Sequence, residues 1–159
     1  MLMTFLYVAI GALFIYALKR AFAGTTGTSV AGNIEAGTQF LEENKNKEGV
    51  IETESGLQYL QLQAGSGTVH PGPKTKVLAH YHGSLIDGTV FDSSVDRGQP
   101  LEFGLNQVIR GWTEGLQLMV EGEKVRLFIP SKLGYGNRPA GSIPAGSVLI
   151  FDVELIAIH

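Results

Sequence analysis

Hydrophobic and polar positions divide the chain into an uninterrupted apolar beginning and a long remainder in which the two alternate. Met1 to Leu18 (MLMTFLYVAIGALFIYAL) carries no charged side chain. As a helix rising about 1.5 Å per residue it would cover about 27 Å, close to the hydrocarbon thickness of a bilayer. Residues 1–20 are therefore expected to form a single-pass transmembrane anchor, with Lys19 and Arg20 as its stop-transfer flank. A secretory signal carries its basic residues ahead of the apolar core, but Ala21-Phe22-Ala23 before Gly24 resembles a cleavage site, so a signal segment is the alternative. The basic flank favours a cytoplasmic position for the remainder of the chain.

Residues 21–32, with the run GTTGTSVAG, have the small, polar composition of a flexible linker. From Asn33, a candidate N-cap, residues 33–49 place Ile34 and Leu41 a heptad apart and Glu43 four residues before Lys47, which predicts a short amphipathic helix ended by Gly49. That helix reads as a solvated spacer or as a docking surface.

Residues 50–159 alternate with the period of strands. Leu57 and Tyr59 against Gln58, Gln61 and Gln63 form one strand, closed by Gly65-Ser66-Gly67. Lys76–Gly83 forms another, Asp87-Gly88 signals a hairpin turn before Thr89-Val90-Phe91, and Leu101–Gly104 is a shorter candidate. Trp112, Leu116 and Met119 share one helical face, with Gly122 beyond it as terminator. Glu123–Ile129 alternates again, and the mostly apolar Ser147–Ile158 should be a central strand. Between them GYGNRPAGSIPAG is a loop. The sum is an α+β domain, an antiparallel sheet with one helix packed on it.

Composition removes several chemistries. Among 159 residues there is no cysteine, so thiol nucleophiles, disulfides and Cys-ligated zinc are excluded. The formal net charge of −3 argues against bulk attraction to nucleic acid. No phosphate-binding loop or G-x-S-x-G elbow occurs, and the bare His80/His82 pair lacks metal-motif spacing. Ser93, Ser94, His82 and Asp92 supply the residue types of a hydrolytic triad, yet Asp92-Ser93-Ser94 reads more economically as a turn with side-chain capping. No metal and no cofactor is expected.

What remains is a set of aromatic residues on separate elements: Tyr81, Phe91, Phe103, Trp112, Tyr135 and Phe151. They could simply be core. Two features favour a pocket: Trp112 and Tyr135 sit beside Gly111, Gly134 and Gly136, where backbone can approach a ligand, and Asp92 and Arg97 flank Phe91.

The stretches YHGSLIDGTVFDSSVDRGQPLEF, QVIRGWTEGLQLMVEGEKVRLFIPSKLGYG and SIPAGSVLIFDVELI resemble an FKBP-type peptidyl-prolyl cis-trans isomerase across about Glu52 to His159. FLEENKNKEGV further resembles the end of the connecting helix in the bacterial Mip-like (macrophage infectivity potentiator), or FklB-like, branch. The resemblance implies a five- to six-stranded antiparallel sheet wrapped around one short helix, and a hydrophobic proline pocket. Carried over residue by residue, Tyr81, Phe91, Asp92, Trp112, Tyr135 and Phe151 would be catalytic, and Arg97, Phe103, Val108, Ile109 and Ile143 would bind substrate. It implies rotation of X-Pro bonds without covalent chemistry, with a non-catalytic peptide-binding or chaperone module as the alternative. The implied partners are proline-containing polypeptides and macrolides of the tacrolimus and rapamycin type. Leu101 and Leu133 depart from positions commonly aromatic in the family. Most of the Mip-like dimerisation region is absent, so a monomer or weak dimer is expected. Together with the anchor, these readings predict a single-pass protein of the bacterial inner membrane, the family resemblance favouring the periplasmic side.

Overall fold

The computed structural model describes residues 29–159. Helix α1 (Val30–Asn44) begins where the Ser29 hydroxyl accepts from the Gly32 N–H at 3.1 Å, four residues ahead of the expected cap at Asn33. Val30 to Gly32, read as linker, are thus helical. The helix also stops short of 49: successive turns, Lys47 N–H to Asn44 carbonyl and Val50 N–H to Lys47 carbonyl, carry the chain through Gly49 (φ +80°) into a strand.

Seven strands come after it: β1 (Val50–Glu52), β2 (Gln58–Gln63), β3 (Lys76–Ser84), β4 (Val90–Ser93), β5 (Leu101–Gly104), β6 (Lys124–Ile129) and β7 (Leu149–Ile158). A one-turn helix, α2 (Ser94–Arg97), separates β4 from β5, and α3 (Arg110–Gln117) precedes β6. All pairings are antiparallel, in the order β1-β2-β6-β7-β3-β4. β5 also pairs with β3: Lys76–Ala79 take β5, and His82–Ser84 take β4. Two short strands share one edge because α2 and Gly98 (φ +71°) turn the chain out of the sheet and back. This sharing, and the three-residue β1, make seven strands where five to six were expected.

One face of the sheet is dry. Leu149, Phe151, Val153 and Leu155 of β7 alternate with Asp152 and Glu154, and the buried set faces Val125, Leu127 and Ile129 of β6. β7 is central, with β3 and β6 on either side. α3 lies across this face, burying Trp112 and Leu116. Its contact is close: a Cβ on Gly111 would stand 2.5 Å from Ile129 Cγ2, and one on Gly115 2.8 Å from Leu127 Cδ1. α1 packs on the opposite face, Phe40 against Phe128 with ring centroids 6.1 Å apart.

The single-pass inner-membrane assignment is corrected here. Among the described residues no helix is long and apolar enough to cross a membrane. α1 has 15 residues, about 22 Å of helix against a hydrocarbon core of about 30 Å, and it carries Glu35, Glu42 and Glu43. The expected transmembrane helix over 1–20 lies outside the described residues.

Candidate active site

Between α3, the β3–β4 edge and the loop before β7 lies a narrow cleft lined by Tyr81, Phe91, Asp92, Ile109, Trp112, Tyr135 and Phe151. Four elements and two loops supply these side chains. Tyr81 and Phe151 are inward positions of the paired strands β3 and β7. Phe91 and Asp92 come from β4. Ile109 is the N-cap residue of α3, and Trp112 lies in its first turn. Tyr135 enters from the Gly/Pro-rich loop.

The rings meet edge to face. Trp112 is 5.3 Å from Tyr81 and 5.1 Å from Phe151, at interplanar angles of 77° and 84°. Phe91 meets Phe151 at 5.3 Å and 84°. Edge-to-face pairs are each worth about 0.5–1.5 kcal/mol beyond burial, so the cleft is a stiff aromatic box. Trp112 is only 1% exposed, and its indole Nε1–H has no acceptor among the described residues.

Of the remaining residues named from sequence, Arg97, Phe103, Val108 and Ile143 are not among those lining this cleft. Phe103 packs on Trp112 at 5.2 Å. Ile143 is buried in the core, with Val108 packed against it. Arg97 acts through Asp92: its Nη1 donates to Asp92 Oδ1 and its Nη2 to the Tyr81 hydroxyl at 2.9 Å, while that hydroxyl donates to Asp92 Oδ2 at 2.5 Å. The three side chains close a ring of hydrogen bonds that consumes both carboxylate oxygens.

The triad residue types do meet, but in another role. His82 Nδ1 and Ser93 Oγ are hydrogen-bonded at 2.9 Å, and His80 Nδ1 and Ser94 Oγ at 2.8 Å. Ser93 Oγ also accepts from the Asp96 N–H as the cap of α2, and Ser94 Oγ accepts from the Tyr81 N–H at 2.7 Å. These serines hold the β4–α2 corner in place, and neither lines the cleft. Among the described residues no group of three or more His, Cys, Asp or Glu is arranged to hold a metal ion.

Gly83 is a site-shaping residue that the alternation alone did not reveal. A Cβ there would stand 2.7 Å from Phe151 Cε1 and from Phe91 Cε2 and Cζ. Its absence lets the two rings close over the backbone of β3. The one signal for it is a glycine at the end of an otherwise unbroken alternation, KVLAHYHG.

Both phenols titrate above the ordinary tyrosine value. Burial raises Tyr81 foremost; its bond to Asp92 adds to this and Arg97 opposes it. Burial, then the Asp92 charge, pushes Tyr135 up to about 12. The folded state therefore favours the neutral phenols, and the stability they confer is complete below the unfolded value near 10. It is lost as pH rises from about 10 through the folded values. The urea midpoint should hold from about pH 7 to 9 and fall above about pH 10; a midpoint constant to about pH 12 would contradict the assignment.

An antiparallel sheet that clasps an aromatic cleft against a short helix defines a class of α+β domain. The model of the FKBP-type peptidyl-prolyl cis-trans isomerase family matches residues 67–156, and the chain belongs to this family. A second family model, the domain amino terminal to FKBP-type peptidyl-prolyl isomerase, matches residues 12–60. That match takes in the end of the apolar stretch, the expected linker and α1, which the anchor reading keeps apart. The chain is 58% identical over 127 residues to the FKBP-type peptidyl-prolyl cis-trans isomerase FkpA of Aeromonas hydrophila, covering 80% of this chain and 47% of that protein. It is 55% identical over 123 residues to the FKBP-type 22 kDa peptidyl-prolyl cis-trans isomerase of Escherichia coli, covering 77% and 59% respectively. The chain thus spans about half the length of these relatives. A crystal structure of a peptidyl-prolyl cis-trans isomerase from Pseudomonas syringae superposes with a TM-score of 0.77 at 38% identity, covering 84% of this chain and 98% of that one.

Proposed function

We propose that the protein is a peptidyl-prolyl cis-trans isomerase that accelerates X-Pro rotation in polypeptides by binding the proline in the aromatic cleft. The observation that carries this reading is the box of Tyr81, Phe91, Trp112 and Phe151, apolar on its walls and opening to the surface.

Rotation about an X-Pro bond sacrifices amide resonance, a barrier of about 18–20 kcal/mol that makes the uncatalysed exchange take tens to hundreds of seconds. No bond is broken. The planar amide is more polar than its twisted transition state, so a dry cleft disfavours the first relative to the second. Trp112 would form the floor; Phe91, Phe103, Val108 and Phe151 would form or back the walls, with Ile143 behind. The Ile109 N–H, at the N-terminal end of α3, would donate to a substrate carbonyl, as would the Tyr135 hydroxyl, which stays protonated at neutral pH. Asp92 would hold Tyr81 and Arg97 and exchange no proton with substrate.

Added to a proline-containing tetrapeptide in a protease-free fluorescence assay, the full chain should accelerate exchange above the spontaneous rate. The turnover should be flat from about pH 6 to 8, because no acid or base takes part. Macrolides of the tacrolimus and rapamycin type should compete with the peptide. No acceleration, with peptide binding retained, would leave a non-catalytic binding module; a bell-shaped profile near neutrality would overturn the mechanism.

A further inference from the structure

α1 is bound to the rest of the domain at two separate places. Towards its C-terminus it is fixed to the sheet: Asn44 Nδ2 donates to Gln58 Oε1 at 2.8 Å, Gln58 Nε2 donates to the Leu41 carbonyl at 2.9 Å, and Phe40 packs on Phe128. Towards its N-terminus it touches the loop that delivers Tyr135 to the cleft. Asn33 Nδ2 donates to the Ala145 carbonyl at 2.8 Å across 112 residues of sequence. The next residue, Gly146, donates its N–H to the Gly136 carbonyl at 2.8 Å, and Gly136 adjoins Tyr135.

The packing here leaves no slack. A Cβ on Gly146 would stand 2.9 Å from the Val30 carbonyl oxygen and 3.0 Å from Ile34 Cγ1, and one on Gly37 would stand 2.7 Å from Val148 Cγ2. Within the loop itself the Gly136 N–H donates to the Ser131 carbonyl at 2.8 Å and Ala140 bridges the buried Ile143, so Asn33 is the tie that reaches the loop's far end from another element.

We propose that Asn33 is a positioning residue for the cleft: anchored on α1, it holds the Ala145 carbonyl and thereby sets the placement of Tyr135, some ten residues earlier in the loop. The effect on turnover rests on the isomerase reading; the effect on the loop does not.

Asn33→Asp tests it in the full chain, because aspartate keeps the shape, suits the first turns of a helix and lacks the N–H donor. The variant should lower kcat/KM for the tetrapeptide by about 3- to 10-fold, the scale of one lost neutral hydrogen bond, with the change carried by KM. In a Tyr135→Phe background the same substitution should cost less than about 2-fold, since the two residues act through one loop. Amide hydrogen exchange at Gly136 and Gly146 should rise by at least about 5-fold, with Val153 in the central strand unchanged.

Equal costs in both backgrounds, or exchange at Gly146 as slow as in the parent, would overturn the proposal. Should the parent chain show no isomerase activity, the exchange measurement still decides whether Asn33 holds the loop, so failure of the functional reading and failure of this one are distinguishable.

Discussion

Trp112→Ala is expected to produce the largest single loss in the molecule. The indole is buried on α3 and touches Tyr81, Phe103 and Phe151 at centroid distances between 5.1 and 5.3 Å. Truncation would leave a cavity that these rings, held on separate strands, cannot fill by relaxing, at a cost of about 3–5 kcal/mol. For a domain of ordinary stability this is a large part of the total. The floor of the cleft would go with it, and kcat/KM should fall by about 10- to 100-fold through misplaced substrate. Trp112→Phe separates the two effects. It keeps an aromatic floor and removes an indole N–H that has no acceptor among the described residues, so part of the lost packing is offset by relief of an unpaired donor. Urea titration and the tetrapeptide assay on both variants test this; a phenylalanine variant as unstable as the alanine one would contradict the packing argument.

Asp92→Ala is the second. The carboxylate side chain is 6% exposed and accepts from both Tyr81 and Arg97. Removing it strands a buried phenol and a guanidinium, at a cost of about 2–4 kcal/mol, below the most severe buried-pair losses because Arg97 is one-fifth exposed and can turn towards water. Asp92→Asn distinguishes anchoring from proton transfer. The amide retains one acceptor oxygen in the same place, so Tyr81 and the neighbouring Phe91 should keep their positions and turnover should stay within about tenfold of the parent. If asparagine abolished turnover as fully as alanine while the fold persisted, Asp92 would be acting as an acid or base.

These two residues also show how far local pattern reaches. Trp112, Leu116 and Met119 mark a helix by spacing alone, and α3 is there, because a 3.6-residue period is a property of one contiguous segment, although it ends at Gln117 and leaves Met119 buried just beyond it. β3 and β7 are legible for the same reason: alternate side chains face a dry core. Asp87-Gly88 announces its turn, where Gly88 has φ +88° and the Leu85 N–H donates to the Thr89 carbonyl. β1 leaves no such mark because three residues, only one of them partly buried, hold no period, and it exists through pairing with β2. Among the site residues, the aromatic set with Asp92 and Arg97 can be nominated from sequence, but the family motifs, rather than periodicity, single out Val108, Ile109 and Ile143.

The order of residues alone dictates the elements whose signals are local: the inward alternation of the long strands, the apolar face of α3 and the turn chemistry between strands. It also dictates what chemistry is absent, since a chain with no cysteine and no phosphate loop cannot acquire them by folding. Assembly of the sheet chooses among equally good local signals. Ser29 and Asn33 are both sound helix caps, and the choice falls to Ser29 while Asn33 instead donates to Ala145. His82 could have met Asp92 or Ser93, and the register of β4 on β3 pairs it with Ser93 and leaves Asp92 to Tyr81 and Arg97. Gly83 could have been an ordinary strand residue, and the approach of Phe91 and Phe151 from two other strands makes a side chain there intolerable. In each case the deciding partner lies on another element, so the energy that selects it exists only once the sheet has assembled.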